Sequence, residues 1–219
     1  MGDWKDIKQP SDFKPEPIPV KTSKPVLSAP KPPAIGSPVF KKALAYTFIN
    51  EGGFSNVKED KGGPTKYGIT IHDLQKWRGK TLTAENVRSM TQEEAEKIYE
   101  AWYWRPLHLD RIENENVAMA LFDRGVLNGL TGVSRHVRVV CGEAEKGMGD
   151  TANFDVLIPE VNSINPVSFV MRLADRCDSK HHRTVAADHT QKRFLLGWLN
   201  RVNRMRKVLG DGTTKPVKL

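Results

Sequence analysis

Residues 37–70 read SPVFKKALAYTFINEGGFSNVKEDKGGPTKYGIT, and this one stretch holds a helix, its termination and a Gly-rich turn region. Ser37-Pro38 supplies an N-cap followed by proline at the first helical position. Phe40, Ala43, Leu44 and Phe48 then share one face of a helix, and Gly52-Gly53 stops it. The next segment, FSNVKEDKGGPTKYGIT, has turn chemistry at Gly62-Gly63-Pro64 and too little periodicity for a long helix. At most a small hairpin is expected near residues 55–70.

Outward from this stretch the signals stay helical. Thr70 caps IHDLQKWR, which ends at Gly79, and Thr83 starts a short helix. The run TQEE from Thr91 to Glu94 is a capping box that opens a helix through Trp104. Asn114 to Leu127 reads as a buried helix, with Val117, Ala118, Leu121 and Phe122 on one side. Asn165-Pro166 opens VSFVMRLADRC, and a last long helix runs from about Thr190 to Val208. The expected class is mainly α. Upstream, residues 1–37 hold eight of the 14 prolines, interleaved with lysines. Proline removes backbone donors and favours extended polyproline II, so this stretch reads as a semi-rigid tether.

Composition narrows the classes further. The 219 residues suffice for a buried core, and 38% hydrophobic against 27% charged residues is a globular balance. No apolar run approaches the roughly 18 residues of a membrane span. The N-terminus MGDWKDIKQP lacks the order of a signal peptide, so cytoplasmic synthesis is expected. Two cysteines, Cys141 and Cys177, cannot build a disulfide scaffold or a four-cysteine zinc site, and free thiols are expected. Residues 172–219 carry twelve Lys and Arg against four Asp and Glu, a surplus equal to the whole net charge of +8. Such a region suits a polyanionic partner (nucleic acid, an acidic membrane surface or an anionic wall polymer), or it is a solvated helix face.

Glu51 is the first candidate for chemistry. It falls at the C-terminal end of the first helix, where the partial negative charge of the helix disfavours carboxylate ionisation and helps keep a general acid protonated. The two glycines after it let a bulky polymer approach. Asp60 follows nine residues later, before a second Gly-Gly pair. A helix-borne acid facing a loop-borne carboxylate is the arrangement that glycoside hydrolysis requires. A Glu near a helix end is also commonly just solvated, so the pair alone does not decide.

The wider string NEGGFSNVKEDKGGPTKYGIT resembles the signature of glycoside hydrolase family 108, the lysozyme-like N-acetylmuramidases. Glu51, Gly52, Gly53, Asp60, Gly62, Gly63, Thr65, Tyr67, Gly68, Ile69 and Thr70 match that pattern, and Phe54 stands where the family usually has Tyr. IYEAWYWRPLHLDRI resembles its Tyr-x-x-x-Tyr-Trp segment. LFDRGVLNG resembles its Phe-Asp-x-x-x-x-Asn-Gly helix, with Asp123, Asn128 and Gly129 in register. FLLGWLNRV is similar to the end of the peptidoglycan-binding region commonly attached to the family, although residues 140–165 depart from its pattern. The likeness covers about residues 39–209.

The resemblance implies a lysozyme-like helical catalytic domain with a helical C-terminal region, and no cofactor or metal. The division expected is a Pro/Lys-rich tail at 1–37, a muramidase region at 38–130, a C-terminal region at 131–210 and a tail at 211–219. Glu51 is then the general acid and Asp60 the base or stabiliser, with Glu59 an adjacent rival and Asp123 a remoter one. Phe54, Thr65, Tyr67 and Asn128 are the substrate-binding candidates. A mobile Gly-flanked loop leaves room for a water between the carboxylates, so hydrolysis with inversion is expected.

Two further clusters, one of histidines and one of aromatics, each have a structural explanation. His181, His182 and His189 lie near Asp178 and Asp188, but in Arg-rich surroundings and without a His-Glu-x-x-His pattern, so a solvated helix turn is expected there rather than a metal site. Trp102, Tyr103 and Trp104 point to different faces of a helix, some into the core and at least one toward a sugar cleft. The basic cluster Arg201, Arg204, Arg206 and Lys207 is expected to attract anionic envelope polymers. The reading is a monomeric peptidoglycan muramidase with no dedicated nucleic-acid partner, made in a host cytoplasm as a bacteriophage endolysin and acting on peptidoglycan in the periplasm or wall. The alternatives are a secretion-associated or injected muramidase, and a basic nucleic-acid-binding protein.

Overall fold

Ser37 opens the first helix as its sequence predicts, accepting a hydrogen bond from the Phe40 amide at 3.2 Å. The computed structural model describes residues 36–48, 63–143 and 153–212, all within the unit Pro33–Leu219. Helix α1 (Pro38–Phe48) buries Phe40, Ala43, Leu44, Tyr46 and Thr47. Phe40 meets the edges of Trp104 and Phe122, with ring centroids 5.3 and 5.8 Å apart. Each such fully buried side chain contributes about 1.5–3 kcal/mol. This aromatic knot fastens α1 to the middle of the chain.

Strands β1 (Thr65–Lys66) and β2 (Ile69–Thr70) form the antiparallel hairpin that the Gly-rich segment allows, with Thr65 opposite Thr70. Helix α2 (Ile71–Arg78) starts directly from β2. Its cap is reciprocal: Thr70 Oγ1 accepts from the Asp73 amide at 3.2 Å, while Asp73 accepts from the Thr70 amide at 3.4 Å. Helices α3 (Ala84–Arg88) and α4 (Gln92–Tyr99) follow. The box expected at Thr91–Glu94 is only half formed. Thr91 accepts from the Glu94 amide, but the Glu94 carboxylate pairs with Arg78 instead, with Arg78 Nε 2.8 Å away. An ion pair to α2 outcompetes the local backbone bond, and it holds the Glu94 pKa below the usual carboxylate range.

Beyond α4 the chain widens into one π turn at Glu100–Trp104, where the Arg105 amide donates to the Glu100 carbonyl at 3.0 Å. Helix α5 (Glu115–Val140) then crosses the core, capped by Asn114. It kinks at Gly129, which adopts φ 71° and ψ 170°, a conformation that only glycine takes without penalty. Helix α6 (Ile158–Ser163) is short, and α7 (Pro166–Ala187) and α8 (Lys192–Leu209) pair with each other. Asn165 caps α7, and Pro166 takes its first position. Helix α5 packs on α1, α7 and α8, so residues of both halves join one core. The described architecture is mainly α, with this one hairpin as its only sheet among the described residues. No helix there is long and apolar enough to cross a membrane. Cys141 and Cys177 are free thiols.

Candidate active site

Tyr67 and Gly68, the two residues between β1 and β2, both have positive φ, 53° and 75°. That is the type I′ geometry of tight hairpins, which Asn-Gly usually fills. A tyrosine there costs on the order of 1–2 kcal/mol, and several contacts hold it in place. The Tyr67 carbonyl accepts from the Tyr99 hydroxyl at 2.7 Å. Its ring stacks on Phe48 at 5.8 Å. Lys66 reaches under the turn to the carbonyls of Arg88 and Met90, at 2.6 and 2.8 Å. Thr65 Oγ1 donates to the Gly63 carbonyl at 3.0 Å. Strained backbone of this kind clusters at ligand-binding sites.

The turn borders a cavity of about 170 Å³, lined among others by Gly68, Asp73, Tyr99, Trp102, Tyr103 and Leu127. The π turn produces the aromatic part of this wall. It sends Trp104 into the core, where 2% of it stays exposed, and leaves Trp102 and Tyr103 half-buried at the cleft. π turns often mark functional sites for this reason: they shift side chains out of helical phase. Trp77 on α2 meets Trp102 edge-on at 6.1 Å, and the Lys76 ammonium lies 5.6 Å from the Trp102 ring centroid. Apolar ring walls with a few polar groups at the rim suit a sugar, whose faces are apolar and whose edges carry hydroxyls.

Of the residues that the sequence nominates, Glu51, Phe54 and Asp60 lie outside the described residues, as does Glu59. Thr65 and Tyr67 are brought together at the hairpin beside the cleft. Asn128 sits next to the α5 kink with its amide engaged inside the fold: its nitrogen donates to the Arg124 carbonyl at 3.1 Å, and its oxygen accepts from Lys180 at 3.4 Å. Sequence reasoning missed Asp73 and Lys76. The Thr70-x-x-Asp73 box, with Lys76 and Trp77 three and four residues further along the same helix face, was the available signal.

Asp123, the remoter carboxylate candidate, is fully buried away from the cleft. Burial alone would raise its pKa, but the Arg124 and Arg201 guanidiniums outweigh burial and hold it below the carboxylate range. Arg201 donates to its Oδ1 at 2.7 Å and Arg124 to its Oδ2. A carboxylate held at both oxygens has no role as a water-activating base.

The C-terminal basic cluster requires a correction. Arg206 is wholly buried and donates to Asp175 at 2.8 Å and to Asp178 at 2.5 Å, and Arg201 is spent on Asp123. Two of the four cations expected at the surface therefore hold α8 to α5 and α7, while Lys207 is exposed. His181 is also not solvated. It is buried and stacks on Trp198 at 5.0 Å, and burial, aided by Arg124 and Lys180, pushes its pKa down to about 4. His136 beside it falls to about 3 for the same reason, with Lys180 and Arg176 contributing.

A helical body with a small hairpin and an aromatic cleft carrying a carboxylate is the arrangement of a lysozyme-like glycoside hydrolase. A family model described as Glycosyl hydrolase 108 matches residues 44–129. Among solved structures, SagA of Brucella abortus is similar, at 26% identity over 78% of this chain and 92% of that one, with a TM-score of 0.62. No curated protein matches. Residues 44–129 thus match the glycoside hydrolase 108 family, and this part of the chain is a glycoside hydrolase domain of that kind.

Proposed function

We propose that the chain hydrolyses the β-1,4 bond between N-acetylmuramic acid and N-acetylglucosamine, with Glu51 as general acid and Asp60 as base or electrostatic stabiliser. The observation that supports this reading is the Tyr67-Gly68 turn, held in a strained conformation at the mouth of the cleft that carries Trp102, Tyr103 and Asp73. Such a cleft takes a sugar ring of a long glycan. Glu51, on the chain just beyond α1, supplies the proton to the leaving oxygen, and a water attacks the anomeric carbon from the opposite face. Digestion of purified sacculi followed by borohydride reduction tests the bond. Muramitol at the new ends is the expected result, and glucosaminitol would reassign the enzyme to the other linkage.

Biologically, the reading is a bacteriophage endolysin. Expression in a bacterial host should leave cells intact until a pore-forming agent opens the inner membrane, and then lyse them within minutes. Toxicity confined to neighbouring cells would instead favour a secreted or injected effector, a role in which the Pro-rich residues 1–37 would serve as a docking segment.

A further inference from the structure

Asp73 lines the aromatic cleft and Lys76 stands against its Trp102 wall, both with polar capacity that no described residue uses. Asp73 Oδ2 takes both bonds from Thr70, the hydroxyl at 2.8 Å and the amide at 3.4 Å, and its Oδ1 accepts from no described residue. Lys76, one turn further on, is exposed, and no carboxylate among the described residues pairs with it. Its contact is the Trp102 ring, at 5.6 Å. A carboxylate and an ammonium therefore flank one aromatic wall at i, i+3 spacing, without neutralising each other in an ion pair.

Such a pair reads two features of a substituted sugar. An ionised carboxylate accepts from hydroxyl or amide N–H groups, which every ring of this glycan offers. An ammonium selects an anion, and in this polymer only the muramyl ring carries one on its substituent. We propose that the cleft receives the N-acetylmuramyl ring, with Asp73 accepting a hydrogen bond from it and Lys76 reading the carboxylate on its lactyl side. This rests on the muramidase reading above. The carboxylate has two sources, the lactyl group itself on a stripped strand or the stem peptide attached to it. Trp102 presents the ring wall and holds the Lys76 ammonium against its face, at the edge of the cleft. Lys76 and Asp73 are thus specificity-determining residues, separate from the proton transfer assigned to Glu51.

The test uses the full chain carrying Glu51→Gln, so that binding is measured without turnover. The ligands are soluble glycan strands with stem peptides, the same strands stripped by an amidase, and chitohexaose, which has no anion. Lys76→Ala should weaken the stripped strands about tenfold and leave chitohexaose unchanged, and Lys76→Arg should restore binding. A loss confined to peptide-bearing strands would place the anion on the stem peptide and still support the assignment. Trp102→Ala should weaken all three ligands, and Asp73→Asn should weaken all three to a smaller degree. Equal effects of Lys76→Ala on charged and uncharged ligands, or none, would overturn the role of Lys76. Unchanged binding by Trp102→Ala would remove the subsite altogether. If the wild-type chain neither binds nor cleaves peptidoglycan, the muramidase reading fails first. If it cleaves normally while the Lys76 variant is silent, only this assignment fails.

Discussion

Charged residues are used in opposite ways at the hairpin and in the C-terminal helix pair. Around α7 and α8, Arg201 and Arg206 turn inward and close on Asp123, Asp175 and Asp178, so that an apparently basic surface becomes internal fastening. Around the hairpin and α2, Asp73 and Lys76 stay at the surface beside half-buried aromatic rings. Helical phase accounts for the difference. Arg206 falls among Val202, Met205 and Leu209 on the buried stripe of α8, whereas Lys76 lies off the face that buries Leu74. Charge density along the chain says little about exposure until the register is known.

The strongest way to break this contrast is to show that the two regions share one function. Glu51→Gln should lower sacculus cleavage by about 10²–10⁴-fold, the usual worth of a general acid, while the melting temperature stays within a degree or so of wild type. Turbidity loss and a thermal melt on the same preparation check it. More than a tenth of the activity surviving would remove Glu51 from the acid role.

Asp123→Asn should do the reverse, sparing catalysis per folded molecule and costing about 3–5 kcal/mol of stability. Removing one partner of a buried pair strands the other's charge, and Arg124 is fully buried. Chemical denaturation measures the loss. A change below about 1 kcal/mol would mean that water reaches the pair and that the core network is looser than its burial indicates.

Much of this arrangement could be read from the sequence, for identifiable reasons. The caps at Thr70, Thr91 and Asn165-Pro166 rest on local hydrogen bonds that need no tertiary partner, and the structure places helix starts at each. The glycines likewise allowed at most a small hairpin near residues 55–70, and the structure places it at 65–70. The fates of Arg201 and Arg206 were not, because each depends on a carboxylate 28–78 residues away in the chain. The burial of His181 is illegible in the sequence for a similar reason: Trp198, its stacking partner, comes from the next helix. The π turn leaves no clear mark in composition, so the exit of Trp102 and Tyr103 toward a cleft could be anticipated only as a division among three aromatics. The proposed general acid Glu51 and its proposed partner Asp60 fall outside the described residues, and for them the resemblance of the motif string is the whole argument.

The C-terminal core should also reveal itself by pH. His136 and His181 have folded pKa values of about 3 and about 4, below the ordinary 6.5. The unfolded chain therefore binds protons first as pH falls. Stability is fully present above about pH 6.5 and drains as the pH drops from there toward 4, by up to about 1.4 kcal/mol per unit for each histidine. Around them stand the cations Arg124, Lys180 and Arg176, with His182 alongside. Lowering the pH from 7 to 5.5 should therefore cost roughly 2–3 kcal/mol. His181→Phe, which keeps the stack on Trp198, should remove about half of that slope. An unaltered slope in the variant would assign the acid sensitivity to other groups.

The smallest effect separates backbone from side chain at the junction of the two regions. Gly129 bends α5 between Leu127, which lines the cleft, and Val133, which packs in the core. A Cβ at this position would meet nothing within 4 Å, so Gly129→Ala creates no clash, and its whole cost is the positive φ. At φ 71° and ψ 170° the backbone lies where essentially only glycine goes, so that cost is about 1–3 kcal/mol, offset in part by the lower entropy of the unfolded alanine chain. The expected result is a melting temperature lowered by only a few degrees. If α5 instead straightens to relieve the strain, Leu127 and Asn128 must rotate out of register with the cleft. Then KM for soluble glycan should rise more than the stability loss alone would cause. A stable variant with unchanged KM would show that the kink serves packing alone, and a raised KM in a well-folded variant would make Gly129 the hinge that couples the core to the cleft.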